Sequence, residues 1–136
     1  MTHIDLNKYK EFVDAVTSDE SKNNDKFTNR WVTLVNQRDV DMPRLLTASM
    51  GLGAESGEFT EVVKKILFQG KPLDADTIFH AKRELGDIMW YWMQGCMALN
   101  IDPNEVIQMN IDKLKARYPG GDFDAHYSEN RQEGDV

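Results

Sequence analysis

Two acidic pairs with one spacing constrain this chain more than any other feature: Glu55-Ser-Gly-Glu58 and, twenty-nine positions after Glu55, Glu84-Leu-Gly-Asp87. Residues three apart share a helix face, so each pair directs both carboxylates the same way. Those faces otherwise read as core. The stripe of Glu55 and Glu58 continues through Ala48, Gly51, Leu52, Phe59, Val62 and Ile66, and that of Glu84 and Asp87 through Ile88, Tyr91, Gly95 and Ala98. Four carboxylates aimed at the interior of a helix bundle repel one another and lose hydration unless positive charge sits between them. A hard divalent cation is the simplest source of that charge.

The rest of the chain also carries helical periodicity. Leu6, Tyr9, Phe12, Val13 and Val16 predict a first amphipathic helix ending near Thr17, with a polar loop from Thr17 to Asp25. Phe27, Trp31, Leu34 and Val35 mark a second, fading at Asn36-Gln37-Arg38-Asp39. Pro43 stands in the first turn of a long third helix that ends at Gln69, where Gly70 and Pro72 form a stop. Asp74 or Asp76 caps a fourth, running to Leu99. From Leu85 onward it is apolar almost all round, which predicts the central, most buried element. Asp102-Pro103-Asn104-Glu105 opens a fifth, ending near Tyr118 before Pro119-Gly120-Gly121. No segment has strand periodicity. The expected fold is all-α, a four- to five-helix bundle in one domain over 1–121, with an acidic tail over 122–136 that is extended or disordered unless Phe123 and Tyr127 anchor it.

Composition narrows the function classes. A net charge of −7 argues against polymeric nucleic acid as partner but not against a nucleotide, because a metal ion can bridge acidic protein to phosphate. Cys96 is the only cysteine, so no internal disulfide forms; its apolar neighbours suit a buried packing thiol, and a reducing compartment, the cytoplasm, is expected. Charged residues including His3 and Asp5 interrupt the start of the chain, and the most apolar stretch, Ile88 to Ile101, is short of the roughly 20 residues that span a bilayer. No membrane association is expected.

An ordinary helical glutamate is solvated and paired at i+3 or i+4. Glu61 fits, with Lys64 and Lys65 following it, whereas Glu55 and Glu58 have no basic residue at those distances. Glu84 has His80 and Asp87 has Arg83 one turn back, so a salt-bridge reading stays open for the second pair. Gly57 and Gly86 inside the pairs cost helix stability, about 1 kcal/mol each relative to alanine, and imply that bulk is unwelcome there, for close helix packing or for a ligand. Four oxygen ligands favour Mg²⁺ or Mn²⁺ over zinc. None of His3, His80 and His126 follows a glutamate by three, as di-iron bundles require, and no P-loop is present. On the fifth helix, Asn110, Lys113 and Arg117 form one stripe, an amide and two cations suited to phosphate oxygens, or else solvated groups near a helix C-terminus. Phe27, Trp31, Trp90 and Tyr91 are either core or stacking surfaces for a base.

Leu46 to Lys65, Glu84-Leu-Gly-Asp87 and Asn110-x-x-Lys113-x-x-x-Arg117-Tyr118-Pro119 resemble the MazG-type all-α nucleotide pyrophosphohydrolases, the superfamily that includes dimeric dUTPases and dCTP pyrophosphatases. The likeness covers residues 43–121 and extends to small phage-type members through Gly70-Lys71-Pro72 and Tyr118-Pro119-Gly120-Gly121. Many members carry adjacent glutamates where Ala54 precedes Glu55 here, leaving one ligand fewer. The resemblance implies metal-dependent cleavage of a nucleoside triphosphate, deoxynucleotides favoured, to a monophosphate and pyrophosphate. Under it Glu55, Glu58, Glu84 and Asp87 hold Mg²⁺ or Mn²⁺ and serve catalysis, Asn110, Lys113 and Arg117 bind phosphate, and Trp31, with Tyr91, lies near the base. A homodimer or homotetramer is implied as well, which would cover the surplus apolar surface. The competing expectations are a non-catalytic nucleotide-binding or regulatory module and a hydrolase acting on another nucleotide such as ppGpp.

Overall fold

A computed structural model describes residues 4–37, 39–131 and 133–135; His3 and Arg38 lie outside the described residues. Seven helices follow one another among the described residues: α1 (Leu6–Ala15), α2 (Asp19–Lys22), α3 (Asn24–Val35), α4 (Met42–Phe68), α5 (Ala75–Leu99), α6 (Pro103–Arg117) and α7 (Ala125–Glu129). No strand occurs among them. The all-α expectation is met.

Short polar side chains set where these helices start. Asp5, Asn23, Asp41, Asp74, Asp102 and Asp124 each stand at an N-cap and accept a backbone N–H of the first turn. Such caps satisfy donors that have no partner within the helix. Pro103 begins α6, where its missing N–H costs nothing. At the other end of α4 the Lys71 N–H donates to the Lys65 carbonyl at 3.1 Å, and Gly70 adopts φ +69°, which a side chain would strain. Asn100 closes α5 in the same left-handed region, φ 53°. The chain therefore turns sharply after α4 and after α5.

The dominant packing is α4 against α5, an antiparallel hairpin joined by residues 69–74; α2 lies on α3, and α3 touches α4 lightly. Ala48, Gly51 and Val62 of α4 and Thr77, Glu84, Cys96 and Ala98 of α5 are the buried residues of this seam. Cys96 is buried there as expected for a packing thiol.

Three sequence expectations change. The Thr17–Asp25 loop contains α2, one short turn too polar to show a periodicity. The tail holds α7 and is not simply extended: Phe123 meets Tyr118, ring centroids 5.8 Å apart, an anchor the sequence allowed for, and Asp135 is buried. Most of all, α5 is not enclosed. It has one face on α4, while Leu85, Met89, Trp90, Met93 and Met97 on its remaining surface stay 40–56% exposed. The all-round apolar pattern is real, but a two-helix seam covers only part of it. No described helix is long and apolar enough to cross a membrane.

Candidate metal centre

The hairpin register brings the two acidic pairs together. At its base the Asp41 N–H donates to the Ala98 carbonyl at 2.8 Å, and Arg44 Nη1 donates to Gln94 Oε1 at 2.9 Å. One turn on, Ala48 meets Gly95; the next contact places Gly51 under the ring of Tyr91. A further turn along α4 reaches Glu55 and Glu58, and a turn or two back along α5 reaches Asp87 and Glu84. Carboxylate oxygens of Glu55, Glu58 and Glu84 consequently lie within 4.8 Å of one another. Glu84 is buried, Glu55 half-buried and Glu58 exposed, so the cluster opens from the seam to the surface.

Asp87 stands apart from this trio, on the exposed side, yet close enough to be felt. Partial loss of hydration, then the charges of Glu58, Asp87 and Glu84, push the Glu55 carboxyl above its ordinary value. No lysine or arginine among the described residues forms an ion pair with any of the four acids. Among the described residues their basic contact is His80 Nε2 to Glu84 Oε1 at 2.9 Å, the salt-bridge partner the sequence allowed for. Glu61, by contrast, pairs with Lys65 at 3.1 Å, and that hydrogen bond holds its carboxyl low.

The space over the two intervening glycines is open. A Cβ at Gly57 or Gly86 would meet nothing within 4 Å, so close packing between α4 and α5 does not explain either one. That leaves room for a ligand or a neighbouring chain. Three converging carboxylates short of cationic partners, all hard oxygen donors, fit Mg²⁺ or Mn²⁺.

The other candidates lie elsewhere. Asn110 and Lys113 line a groove of about 600 Å³ with Ile101, Val106, Met109, Asp112 and Gly134. Arg117, next on that stripe, gives its Nε–H to Asp135 Oδ2 at 2.6 Å. Neither cation is among the charges acting on Glu55, and α6 packs only slightly on the hairpin. Trp31 is half-buried and stacked on Phe27, rings 6.4 Å apart at 19°. Tyr91 packs on Gly51 in the seam and stands edge-on to the exposed Trp90, ring centroids 4.8 Å apart. Sequence reasoning misses Asp135, because a single aspartate in an acidic tail has no spacing to mark it.

Residues 45–121 match the model of the MazG nucleotide pyrophosphohydrolase domain. The chain belongs to the MazG family. The matched stretch contains both acidic pairs and the whole Asn110, Lys113 and Arg117 stripe, while Trp31 precedes it. The chain is also similar to the Gene 37 protein of Mycobacterium phage L5, 37% identical over 79 residues, which are 54% of this chain and 65% of that protein. It thus spans just under two thirds of that relative's length, and a phage protein among the relatives agrees with the phage-type resemblance. No solved structure matches the chain.

Proposed function

We propose that this MazG-family chain hydrolyses a nucleoside triphosphate to a monophosphate and pyrophosphate, with a divalent cation at Glu55, Glu58 and Glu84. The observation that carries the reading is the convergence of three carboxylates from two helices, without a lysine or arginine ion pair among the described residues, inside the family-matched region. Deoxynucleotides are the favoured substrates, by likeness to the family. The catalytic unit spans residues 1–121 with α4 to α6 at its centre, and the reaction runs in the cytoplasm, the host's for a phage-encoded chain.

Bound Mg²⁺ or Mn²⁺ would supply neutralisation of the triphosphate and polarisation of its phosphorus–oxygen bonds. Glu55, Glu58 and Glu84 would hold the cation. Asp87, beside the trio but outside it, is the acid left to take a proton from the attacking water on a carboxylate oxygen. The water oxygen bonds to phosphorus as the bond to the bridging oxygen breaks, and that electron pair leaves with pyrophosphate. Lys113 and Arg117 offset the charge that gathers on the leaving group, and the Asn110 amide donates to a phosphate or sugar oxygen. Trp31 offers the better stacking surface for a base, since Tyr91 already serves the seam.

Oligomerisation completes this reading. In one chain the cationic stripe of α6 does not pair with the acids, and Leu6, Tyr9 and Phe12 of α1, with Val16 just after it, are at least 60% exposed. A homodimer or homotetramer would cover α1 and the open face of α5, and could bring the stripe of one copy to the acids of another. The deciding experiment is a pyrophosphate-release screen over all common ribo- and deoxynucleoside triphosphates, and ppGpp, with Mg²⁺ and after chelation. Product from a deoxynucleoside triphosphate that chelation abolishes is expected. No product from any of them would leave a binding or regulatory module as the better account.

A further inference from the structure

Asp135 has the environment of a bound anion. Its side chain is 0% exposed, Oδ2 accepts the Arg117 Nε–H at 2.6 Å, and Oδ1 has no hydrogen-bond partner among the described residues. The hydrogen bond from Arg117, and after it the charges of Arg117, Arg131 and Lys113, hold its carboxyl below the usual aspartate range against the loss of hydration. Its neighbour Gly134 lines the groove that contains Asn110 and Lys113. Gly134 turns the chain at φ +87°, a conformation that disfavours any other residue, and a Cβ there would make only ordinary contact with the Ala116 Cβ, at 3.6 Å.

The match between Asp135 and this setting is poor. One of its two carboxylate oxygens is buried without a donor among the described residues, which is costly for an ionised group, and the charges of Arg131 and Lys113 add from farther off to that of the bonded Arg117. A diphosphate group brings more charge and more acceptor oxygens to the same cations, and guanidinium groups bind phosphate through two parallel N–H donors. Asp135 also lies beyond residues 45–121, outside the matched MazG region.

We propose that Asp135 is a built-in competitor for the anion subsite of Arg117, Lys113 and Asn110, held in place in the resting chain and displaced by the diphosphate portion of the substrate. This rests on reading the α6 stripe as the phosphate-binding element. A fraction of molecules with Asp135 released is the binding-competent one, and substrate affinity is reduced by that fraction.

The test uses the full chain with saturating Mg²⁺, comparing wild type, Asp135→Asn, Asp135→Ala and Arg117→Gln. Both Asp135 variants should lower the KM of the best nucleoside triphosphate and the inhibition constant of inorganic pyrophosphate, by roughly three- to tenfold if most resting molecules are occupied. Arg117→Gln should raise both. An unchanged or raised KM in the Asp135 variants, with Arg117→Gln still raising it, would overturn the competitor and leave the phosphate reading standing. An unchanged KM in Arg117→Gln would overturn both. Should the Asp135 variants melt early, the Arg117 Nε–H resonance of wild type, followed by NMR as pyrophosphate is added, gives the same answer. It should shift as Asp135 leaves, and a fixed resonance at saturating pyrophosphate would sink the proposal.

Discussion

The ring of Tyr91 occupies the space that a Cβ on Gly51 would take. This contact fixes how closely and in what register α4 and α5 run. Glu55 follows Gly51 by one turn, and Asp87 precedes Tyr91 by one turn, so the same contact aligns the acidic pairs.

Gly51→Ala should therefore destabilise the protein. The added methyl improves helix propensity by about 1 kcal/mol, but it must displace an aromatic ring packed in the seam, and overpacking costs about 1–3 kcal/mol. Overpacking should win, lowering the melting midpoint by several degrees. Adding Tyr91→Leu to Gly51→Ala should recover part of the loss, as coupled neighbours do. Additive losses in a thermal-melt double-mutant cycle would show that the contact does not set the seam.

Gly57→Ala and Gly86→Ala should behave in the opposite way. Each added Cβ enters open space, so the propensity gain of about 1 kcal/mol stands and the midpoint should hold or rise. Pyrophosphate release should nevertheless fall, because the methyl intrudes where ligand or a second chain approaches. Full activity in both stabilised variants would mean that the glycines serve neither.

Local chemistry was legible in the sequence, and long-range geometry was not. Asp74 and Asp102 announce their helices because an N-cap is satisfied within three residues. The acid cluster was legible because i,i+3 spacing fixes a face whatever the tertiary fold. The same argument could not tell that Asp87 stands outside the trio, which depends on side-chain reach across the seam. Nor could it pair Arg117 with a residue 18 positions away across two turns. Periodicity marked α5 as apolar all round, yet it says nothing about what covers each side.

Two aspartate caps should shape the acid limb of stability. The Arg44 backbone N–H, then its side chain, hold the Asp41 carboxyl below its ordinary value of 3.8, and the Thr77 backbone N–H does the same for Asp74. For a lowered carboxyl the unfolded chain binds more protons, so stability rises with pH through this window. The contribution is complete above 3.8 and is lost as pH falls through the lowered folded values. Asp41→Asn with Asp74→Asn keeps capping oxygens but removes the titration. Melts between about pH 5 and about pH 2 should show wild type losing its advantage over the double variant as acid is added. Parallel curves would count against the caps as titrating groups.

Removing a carboxylate from the trio should stabilise the metal-free protein while abolishing its response to metal. Glu55 sits among Glu58, Asp87 and Glu84 with its charged form disfavoured, so Glu55→Gln relieves repulsion and should raise the midpoint measured in chelator. Wild type should gain stability on adding Mg²⁺, by about 2.7 kcal/mol at a hundredfold excess over Kd. Glu55→Gln and Glu84→Gln should show little of that gain. Glu61→Gln is the control, because Glu61 bonds Lys65 on the surface and lies outside the cluster, so its Mg²⁺ response should match wild type. Asp87→Asn separates holding from catalysis: it should keep much of the Mg²⁺ stabilisation yet lose pyrophosphate release. Equal loss of both in Asp87→Asn would make it a fourth ligand instead, and an undiminished Mg²⁺ response in Glu55→Gln would place the cation elsewhere.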